Sequence, residues 1–128
     1  MYKWMKIYFD TNVYIDFLEN RADKFRPLGE LAFQSFQRGI NCEFHIVISE
    51  LVVKELSKSG VSKEKIKKLI NWFGEKIILV ENLKNDFSEA KKAMKKYKIH
   101  FEDALHYQTS KRIADKLLTN DNDLKLLP

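Results

Sequence analysis

Four short apolar runs, separated by stretches with helical spacing, constrain the fold of this chain more than any other feature. The runs occupy residues 7–9, 44–48, 77–80 and 116–119. In the segments between them, apolar residues recur every three or four positions, which is the spacing of an amphipathic helix. Mostly apolar runs that alternate with helices are typical of a parallel sheet covered on both faces. The sequence therefore predicts an α/β fold with a central parallel sheet.

Residues with known capping preferences mark the ends of the helices. Serine is a favoured N-cap, proline suits the first turn, and glycine commonly ends a helix. The predicted helices cover residues 13–18, a segment from near Pro27 to near Gly39, a segment after Ser49, a segment from Ser62 to Gly74, a segment opened by Asn85 or Asp86, and a segment from near Glu102 to about Ala114.

Size and composition indicate a single domain over residues 1–128. The chain is 45% hydrophobic and 32% charged and carries a net charge of +5, as expected of a folded protein that can attract nucleic acid. The single cysteine, Cys42, cannot form an internal disulfide, so we expect a reducing cytoplasm. No apolar stretch approaches the length of a membrane span, and no signal peptide is visible.

Four acidic residues lie where the chain turns from one predicted element to the next. Three of them, Asp10, Glu50 and Asp121, follow predicted strands, and Asp103 begins a helix that could point at the same crevice. In open parallel sheets, ligands bind beyond the carboxyl ends of the strands. Carboxylates gathered there would repel one another without a cation, and such oxygen ligands suit Mg²⁺ or Mn²⁺. We therefore predict a divalent-metal site of the kind that often cleaves phosphodiesters.

Each of these acidic residues also has a structural interpretation. Asp10, which is followed by Thr-Asn, could cap the first helix. Glu50 and Asp103 lie in first helical turns, where the helix dipole favours a carboxylate. Asp121 could belong to an ordinary turn, and Asp123 competes with it as a ligand. The placement of the whole set at strand ends favours a shared site.

Two lysine-rich stretches, residues 63–68 and 91–98, also allow two interpretations. Each lies on a helix whose other face is apolar, so a solvated helix face explains the lysines simply. The alternative is a track for phosphates that leads to the acidic residues. The histidines and the cysteine lack the spacing of a zinc site. We interpret His106, one turn after Asp103, as a packing or surface residue and not as a catalytic base.

The order and spacing of these features resemble the PIN domain, and within it the small VapC-like toxins of prokaryotic toxin–antitoxin pairs. The resemblance covers nearly the whole chain and rests on residues 9–15, 49–51, 103–106 and 119–121. It implies a three-layer α/β/α sandwich with a central parallel sheet of four to five strands. It also implies that four acidic residues bind the metal, and these are Asp10, Glu50, Asp103 and Asp121. The polar residues Asn12 and Thr119 would orient these carboxylates by hydrogen bonds.

The resemblance further implies the activity and the partners. The expected reaction is Mg²⁺- or Mn²⁺-dependent cleavage of RNA by water, which leaves a phosphate on the 5′ side of the break. The expected assemblies are a homodimer and a complex with an antitoxin whose tail blocks the cleft. One departure is visible, because the family usually continues past the fourth acidic residue into another short strand. Here only residues 124–127 are available for that edge strand.

Two other functions remain open from the residues alone. The first is a catalytically inactive PIN-like module that binds RNA or protein, and the acidic character of all four positions counts against it. The second is a metal-dependent phosphatase or phosphotransferase on a similar sheet. A phosphoaspartate enzyme would need a second aspartate two residues after Asp10, whereas this chain has Asn12 there.

Overall fold

A computed structural model describes residues 5–19, 28–40 and 44–119 of the chain. They form four strands and six α-helices, with a short 3₁₀ turn at Gly74–Lys76 before the third strand. The strands are β1 (Lys6–Phe9), β2 (His45–Ser49), β3 (Ile77–Val80) and β4 (Lys116–Leu118). The helices are α1 (Thr11–Glu19), α2 (Leu28–Ile40), α3 (Glu50–Lys58), α4 (Lys63–Phe73), α5 (Lys84–Tyr97) and α6 (Phe101–Ile113).

The four strands form one sheet in the order β3-β2-β1-β4, and every pairing is parallel. The predicted α/β/α architecture with a parallel sheet is therefore confirmed. Helices α1, α2 and α4 lie on one face of the sheet, because Phe36 of α2 contacts Phe9, Tyr14 and Phe73. Helix α6 lies on the opposite face and packs with α5, and α3 contacts α6 through Glu55. The expected edge strand at residues 124–127 lies outside the described residues.

Strand β1 shows why both faces of the sheet are covered. Successive side chains of a strand point to opposite faces. Phe9 packs among aromatic rings from α1 and α2, with centroid distances of 6.2 Å to Tyr14 and 5.1 Å to Phe36. Tyr8 points the other way and lies edge-on to His106 of α6. Both Tyr8 and Phe9 are fully buried, so β1 runs through the centre of the protein.

Local capping determines several helix ends as the sequence predicts. Ser49 accepts a hydrogen bond from the backbone N–H of Val52, and Ser62 accepts one from that of Lys65. Gly74 ends α4 with a φ of 56°, a left-handed value that glycine adopts readily. Helix α5 begins at Lys84, slightly before the predicted start, because Asp86 accepts the N–H of Leu83 from inside the first turn.

The elements leave room for a site beyond the carboxyl ends of the strands. The carboxyl ends of β1, β2 and β4 lead to Asp10, Glu50 and Thr119. The backbone N–H of Asp10 donates to the carbonyl of Leu118 at 2.9 Å, which joins the ends of β1 and β4. Within the described part of the chain, no helix has the length and apolar character needed to cross a membrane.

Candidate active site

Asp10 lies directly after β1 and is only 3% exposed. Its Oδ1 accepts the backbone N–H of Thr11 at 2.7 Å, and its Oδ2 accepts the hydroxyl of Thr119 at 2.9 Å. Thr119 follows β4, so two adjacent strand ends hold this carboxylate from both sides. Each carboxylate oxygen has two lone pairs, and both oxygens of Asp10 therefore keep capacity for a further partner.

The imidazole of His106 faces Asp10 from helix α6. Its Nε2 lies 3.6 Å from Oδ1 of Asp10 and hydrogen-bonds Oε1 of Glu55. The other ring nitrogen, Nδ1, lies 2.6 Å from the hydroxyl of Tyr8. His106 is 1% exposed, so both ring nitrogens have their partners inside the protein.

Glu55 supplies the second carboxylate of the site. It lies in the middle of α3, and its side chain is 29% exposed. Besides its bond to His106, Oε1 accepts the hydroxyl of Thr11 at 3.3 Å. Asp10 and Glu55 therefore share two neighbours, His106 and Thr11. We call the group formed by Asp10, Glu55 and His106 the carboxylate–histidine cluster.

A buried chain of hydrogen bonds runs from α3 to the cluster. Ser49 Oγ accepts the N–H of Val52 and lies 2.7 Å from the hydroxyl of Tyr8. If Ser49 donates to Tyr8, then Tyr8 donates to Nδ1 of His106, and the Nε2–H of His106 donates to Glu55. In this direction each hydroxyl accepts one hydrogen bond and donates one, which is the arrangement expected of buried hydroxyl groups.

The protonation equilibria of the cluster depend on burial and on its internal charges. Burial raises the pKa of Asp10, although His106, Thr119 and the N–H of Thr11 act in the opposite direction. For His106, burial lowers the pKa, but the bond to Glu55 and the negative charge of Asp10 outweigh burial and leave the pKa raised. Burial raises the pKa of Tyr8 far above its usual range, so its phenol keeps its proton.

The predicted residue Glu50 lies on a different side of α3 from the cluster. It is exposed at the first residue of the helix. At about 100° per residue, Glu50 lies about 160° from the buried Val52, whereas Glu55 lies about 60° from it. Both glutamates border a cavity of about 260 Å³, together with Glu102 and Leu105 of α6. Glu55 therefore faces His106 and Thr11, the neighbours of Asp10, whereas Glu50 borders the cavity from the exposed side of α3.

The other predicted residues differ in how closely they approach Asp10. Asp103 is half-buried on α6, and its charge contributes to the raised pKa of His106. Thr119 donates its hydroxyl directly to Asp10. Asn12 is exposed in the first turn of α1. Asp121 and Asp123 lie outside the described residues.

The sequence pattern did not identify Glu55, and it predicted His106 as a packing or surface residue without its hydrogen-bond partners; the structure has His106 buried. On α3, the helical spacing that buries Val52 and Leu56 also turns Glu55 inward, and this is the signal that the sequence offers. On α6, His106 lies within the consecutive buried residues 104–107. A polar residue at a buried helical position requires partners, but the sequence does not show which strand supplies them.

The two carboxylates of the cluster are of the ligand type that a hard divalent cation prefers. Mg²⁺ is commonly held by one or two carboxylates together with waters and substrate phosphates. Asp10 and Glu55 provide carboxylate oxygens on two elements that meet beyond the strand ends. Within residues 5–19, 28–40 and 44–119, no group of three or more His, Cys, Asp or Glu side chains is close enough to hold a metal. The described residues therefore form no complete metal site by themselves, and Asp10 and Glu55 are the two carboxylates that the cluster offers to one.

A cavity lined with lysines lies farther along α6. Lys92 and Lys96 of α5 and Lys111 of α6 border a space of about 270 Å³, which we call the lysine cavity. Lys111 Nζ lies 5.8 Å from the ring centre of Tyr107, which also borders the cavity. Asp103, Tyr107 and Lys111 are spaced four residues apart and so share one face of α6, which spans about 12 Å at 1.5 Å per residue.

The comparison with known protein families decides the identity of the fold. The sequence profile of the PIN domain matches residues 7–128. The chain belongs to the PIN domain family. In the PIN fold of this chain, the carboxylate–histidine cluster lies beyond the carboxyl ends of β1 and β4. No curated protein matches the chain in sequence.

Solved structures with the same PIN fold include chains of toxin–antitoxin complexes. One is a toxin–antitoxin complex from Klebsiella pneumoniae, with a TM-score of 0.69 and 16% identity over 95% of this chain and 92% of the other. Another is VapBC2 from Rickettsia felis bound to a DNA fragment from its promoter, with a TM-score of 0.67 and 17% identity over 97% of this chain and 94% of the other. These similarities establish a VapC-like fold.

Proposed function

We propose that this PIN domain protein is a divalent-metal-dependent endoribonuclease, and that it acts as the toxin of a toxin–antitoxin pair in the cytoplasm. The observation that carries the proposal is the approach of two carboxylates, Asp10 and Glu55, beyond the strand ends of a PIN fold. Family membership supports nuclease activity, and the complexes that share the fold support the toxin assignment.

In this proposal, Asp10 and Glu55 hold Mg²⁺ or Mn²⁺, and Asp103 and Asp121 complete the site. Glu55 takes the role predicted for Glu50, because it reaches the neighbours of Asp10 whereas Glu50 lies on the exposed side of α3. Thr119 fixes one oxygen of Asp10 in support of ligation. A cation held by these residues would supply positive charge for phosphodiester cleavage and would lower the pKa of the attacking water. A carboxylate of the site accepts the proton that the attacking water loses.

The basic surface supports RNA as the substrate. The net charge is +5, and the lysine cavity shares a face of α6 with Asp103. Lysines that contact phosphates position a nucleic acid without reading its sequence. An RNA strand that enters over Lys111 and Tyr107 would reach Asp103 within about 12 Å. This arrangement favours the phosphate track over the purely solvated helix face.

An exposed aromatic surface on α1, α2 and α4 supports an antitoxin partner. Phe17 stacks on Phe33 and on Trp72, at centroid distances of 6.0 Å in both cases. Phe33 and Trp72 are 45% and 48% exposed, which is unusual for stacked aromatic rings. Lys65 and Lys68 border a surface hollow together with Phe17 and Trp72. We propose that an apolar segment of the antitoxin with acidic flanks covers this surface.

A second apolar surface supports the proposed homodimer. Leu79 at the edge of the sheet is 59% exposed, and Leu83 and Phe87 are 44% and 41% exposed. Leu79 also borders an apolar groove of about 570 Å³ together with Val53 and Ile70. Apolar surface of this kind at a sheet edge is commonly covered in solution, and we propose a second copy of the chain as its cover.

The proposed nuclease is tested by cleavage of a mixed RNA pool with Mg²⁺ or Mn²⁺ and with EDTA. We expect metal-dependent cleavage in the wild type and its loss in Asp10→Asn and Glu55→Gln. Glu50→Gln is the matched control on the same helix and should retain most of the activity. Equal loss in Glu50→Gln and Glu55→Gln would refute the assignment of Glu55. Absence of both cleavage and Mn²⁺ binding in the wild type would favour the inactive binding module.

A further inference from the structure

His106 differs from the other members of the cluster because it has no role in the proposed reaction itself. His106 lies on α6, whereas Asp10 follows β1 and Glu55 lies on α3. Its ring is buried, and each nitrogen has a defined partner, Tyr8 at Nδ1 and Glu55 at Nε2. The imidazole ring therefore links the buried hydroxyl of Tyr8 on β1 to the carboxylate of Glu55 on α3.

The bond to Tyr8 prevents the imidazole from turning. A histidine ring has two favoured orientations that exchange the positions of its nitrogens and carbons. Here Tyr8 is fully buried, and its hydroxyl lies 2.6 Å from Nδ1 of His106 and 2.7 Å from Ser49 Oγ. A flipped ring would place a carbon against this hydroxyl and leave a buried polar group without its partner, which is costly. The hydrogen-bonded chain thus selects one ring orientation.

The orientation of Glu55 depends in turn on His106. A glutamate side chain has three rotatable bonds, and fixing it has an entropic cost. Its second described hydrogen bond, from the Thr11 hydroxyl at 3.3 Å, is long. Asn82 fixes the backbone of α3 against α6 by accepting the N–H of Leu51 and donating to Thr109, but it does not contact Glu55. His106 is therefore the principal group that holds the Glu55 carboxylate beside Asp10.

We propose that His106 is a positioning residue that presets the Asp10–Glu55 pair for a divalent cation, and that Tyr8 and Ser49 act through it. The inference rests on the proposed metal site. Nε2 directs one oxygen of Glu55, the other oxygen stays available to the ion, and Nδ1 anchors the ring to the sheet. Tyr8 then influences metal binding although its described contacts include neither carboxylate.

Two conservative substitutions of His106 separate positioning from packing. A glutamine amide reaches about as far as Nε2 and can still donate to Glu55. An asparagine amide reaches about as far as Nδ1 and can bond only Tyr8. If His106 serves only as a hydrogen-bond partner for the buried hydroxyl of Tyr8, then His106→Asn should keep Mn²⁺ affinity at least as well as His106→Gln. If His106 positions Glu55, then His106→Gln should keep more of the Mn²⁺ affinity.

The experiment measures Mn²⁺ affinity by calorimetry for the wild type, His106→Asn, His106→Gln and Tyr8→Phe. Loss of a partner that orients a metal ligand typically costs 10- to 100-fold in metal affinity, so we expect a loss of about that size in His106→Asn and a smaller loss in His106→Gln. Tyr8→Phe should weaken binding in the wild type but not further in the His106→Gln background. The exposed His100 provides the control His100→Gln, which should bind like the wild type.

The outcomes separate this inference from the proposed function. If the wild type binds Mn²⁺ and His106→Asn binds it as well as His106→Gln, the positioning role is wrong and the metal site stands. An additive effect of Tyr8→Phe and His106→Gln on affinity would also overturn it. If the wild type binds no Mn²⁺, both the proposed function and the positioning role are wrong. Unfolding in EDTA verifies that each variant is folded before its affinity is interpreted.

Discussion

The ion pair between Asp86 and Arg112 offers a quantitative test of how α5 and α6 are held together. Asp86 is 2% exposed at the start of α5, and Arg112 near the end of α6 reaches it with two nitrogens. Nε donates to Oδ1 and Nη2 donates to Oδ2, both at 2.9 Å, and Nη2 also donates to the carbonyl of Glu81 at 3.0 Å. This pair fixes the helix that carries Asp103 and His106.

The substitution Arg112→Met leaves the buried carboxylate of Asp86 without its cation. Breaking a buried pair from one side costs about 3–5 kcal/mol. The Arg112 side chain is 30% exposed, and the N–H of Leu83 still donates to Asp86, so solvent and this bond recover part of the loss. We expect a decrease of about 2–3 kcal/mol in the free energy of unfolding. At about 4 °C per kcal/mol for a chain of this length, Tm falls by about 8–12 °C.

The assay is urea unfolding in EDTA, followed by circular dichroism, for both single variants and the double variant Asp86→Asn/Arg112→Met. Because the substituted amide at position 86 could still accept from Leu83 and carries no charge, the double variant should lose less stability than the two single losses added together. Lys111→Met, the neighbouring exposed position, is the control and should change stability by less than about 0.5 kcal/mol. A loss of stability below about 0.5 kcal/mol in Arg112→Met would refute this account of the ion pair. A loss in the double variant equal to the sum of the two single losses would also refute it.

Three further predictions concern pH, RNA and assembly. Because folding raises the pKa of His106, the folded state keeps a proton at pH values where the unfolded chain has lost it, so the unfolding free energy in EDTA, relative to that of His106→Gln, falls as pH rises above about 6.5. Reversing two charges of the lysine cavity, Lys96→Glu with Lys111→Glu, should weaken RNA binding in EDTA and reduce the salt slope by about 1.4. Leu79→Asp should convert a dimer to a monomer in sedimentation experiments.

Each of these three predictions has its own contradicting result. A wild-type stability that is constant or rises with pH relative to His106→Gln would contradict the raised pKa of the histidine. Lys91→Glu, a change at an exposed position of α5 outside the lysine cavity, is the control for RNA binding. If this single change weakens RNA binding as much, the lysine cavity contributes only through the general positive charge of the protein. A monomeric wild type, or a Leu79→Asp variant that stays dimeric, would exclude the proposed dimer surface.

The sequence predicts the features that depend on neighbouring residues. Ser49, Ser62 and Gly74 act on the backbone within a few positions, and the structure has all three in the predicted roles. The apolar strands are equally local, and their parallel pairing follows from the helices between them. The position of Asp10 after β1 is predictable for the same reason.

The contacts of the cluster could not be predicted in this way. Glu50 and Glu55 are both glutamates on one short helix, and the choice between them depends on which side of α3 faces β1 and α6. The hydrogen bond between Tyr8 and His106 joins residues 98 positions apart. Nothing in either local segment identifies its partner, because long-range contacts depend on the packing of whole elements.

The bond between Thr119 and Asp10 has a consequence for synthesis of the protein. It joins residues 109 positions apart, and β4 pairs directly with β1. Chains emerge from the ribosome from the N-terminus, so β1, α1 and the carboxylate of Asp10 exist long before their partner strand does. The Asp10 site therefore stays incomplete on a growing chain and is assembled only once β4 has emerged and docked. A chain that is interrupted before β4 contains most of the buried core residues, but it lacks the Leu118 carbonyl and the Thr119 hydroxyl that hold Asp10.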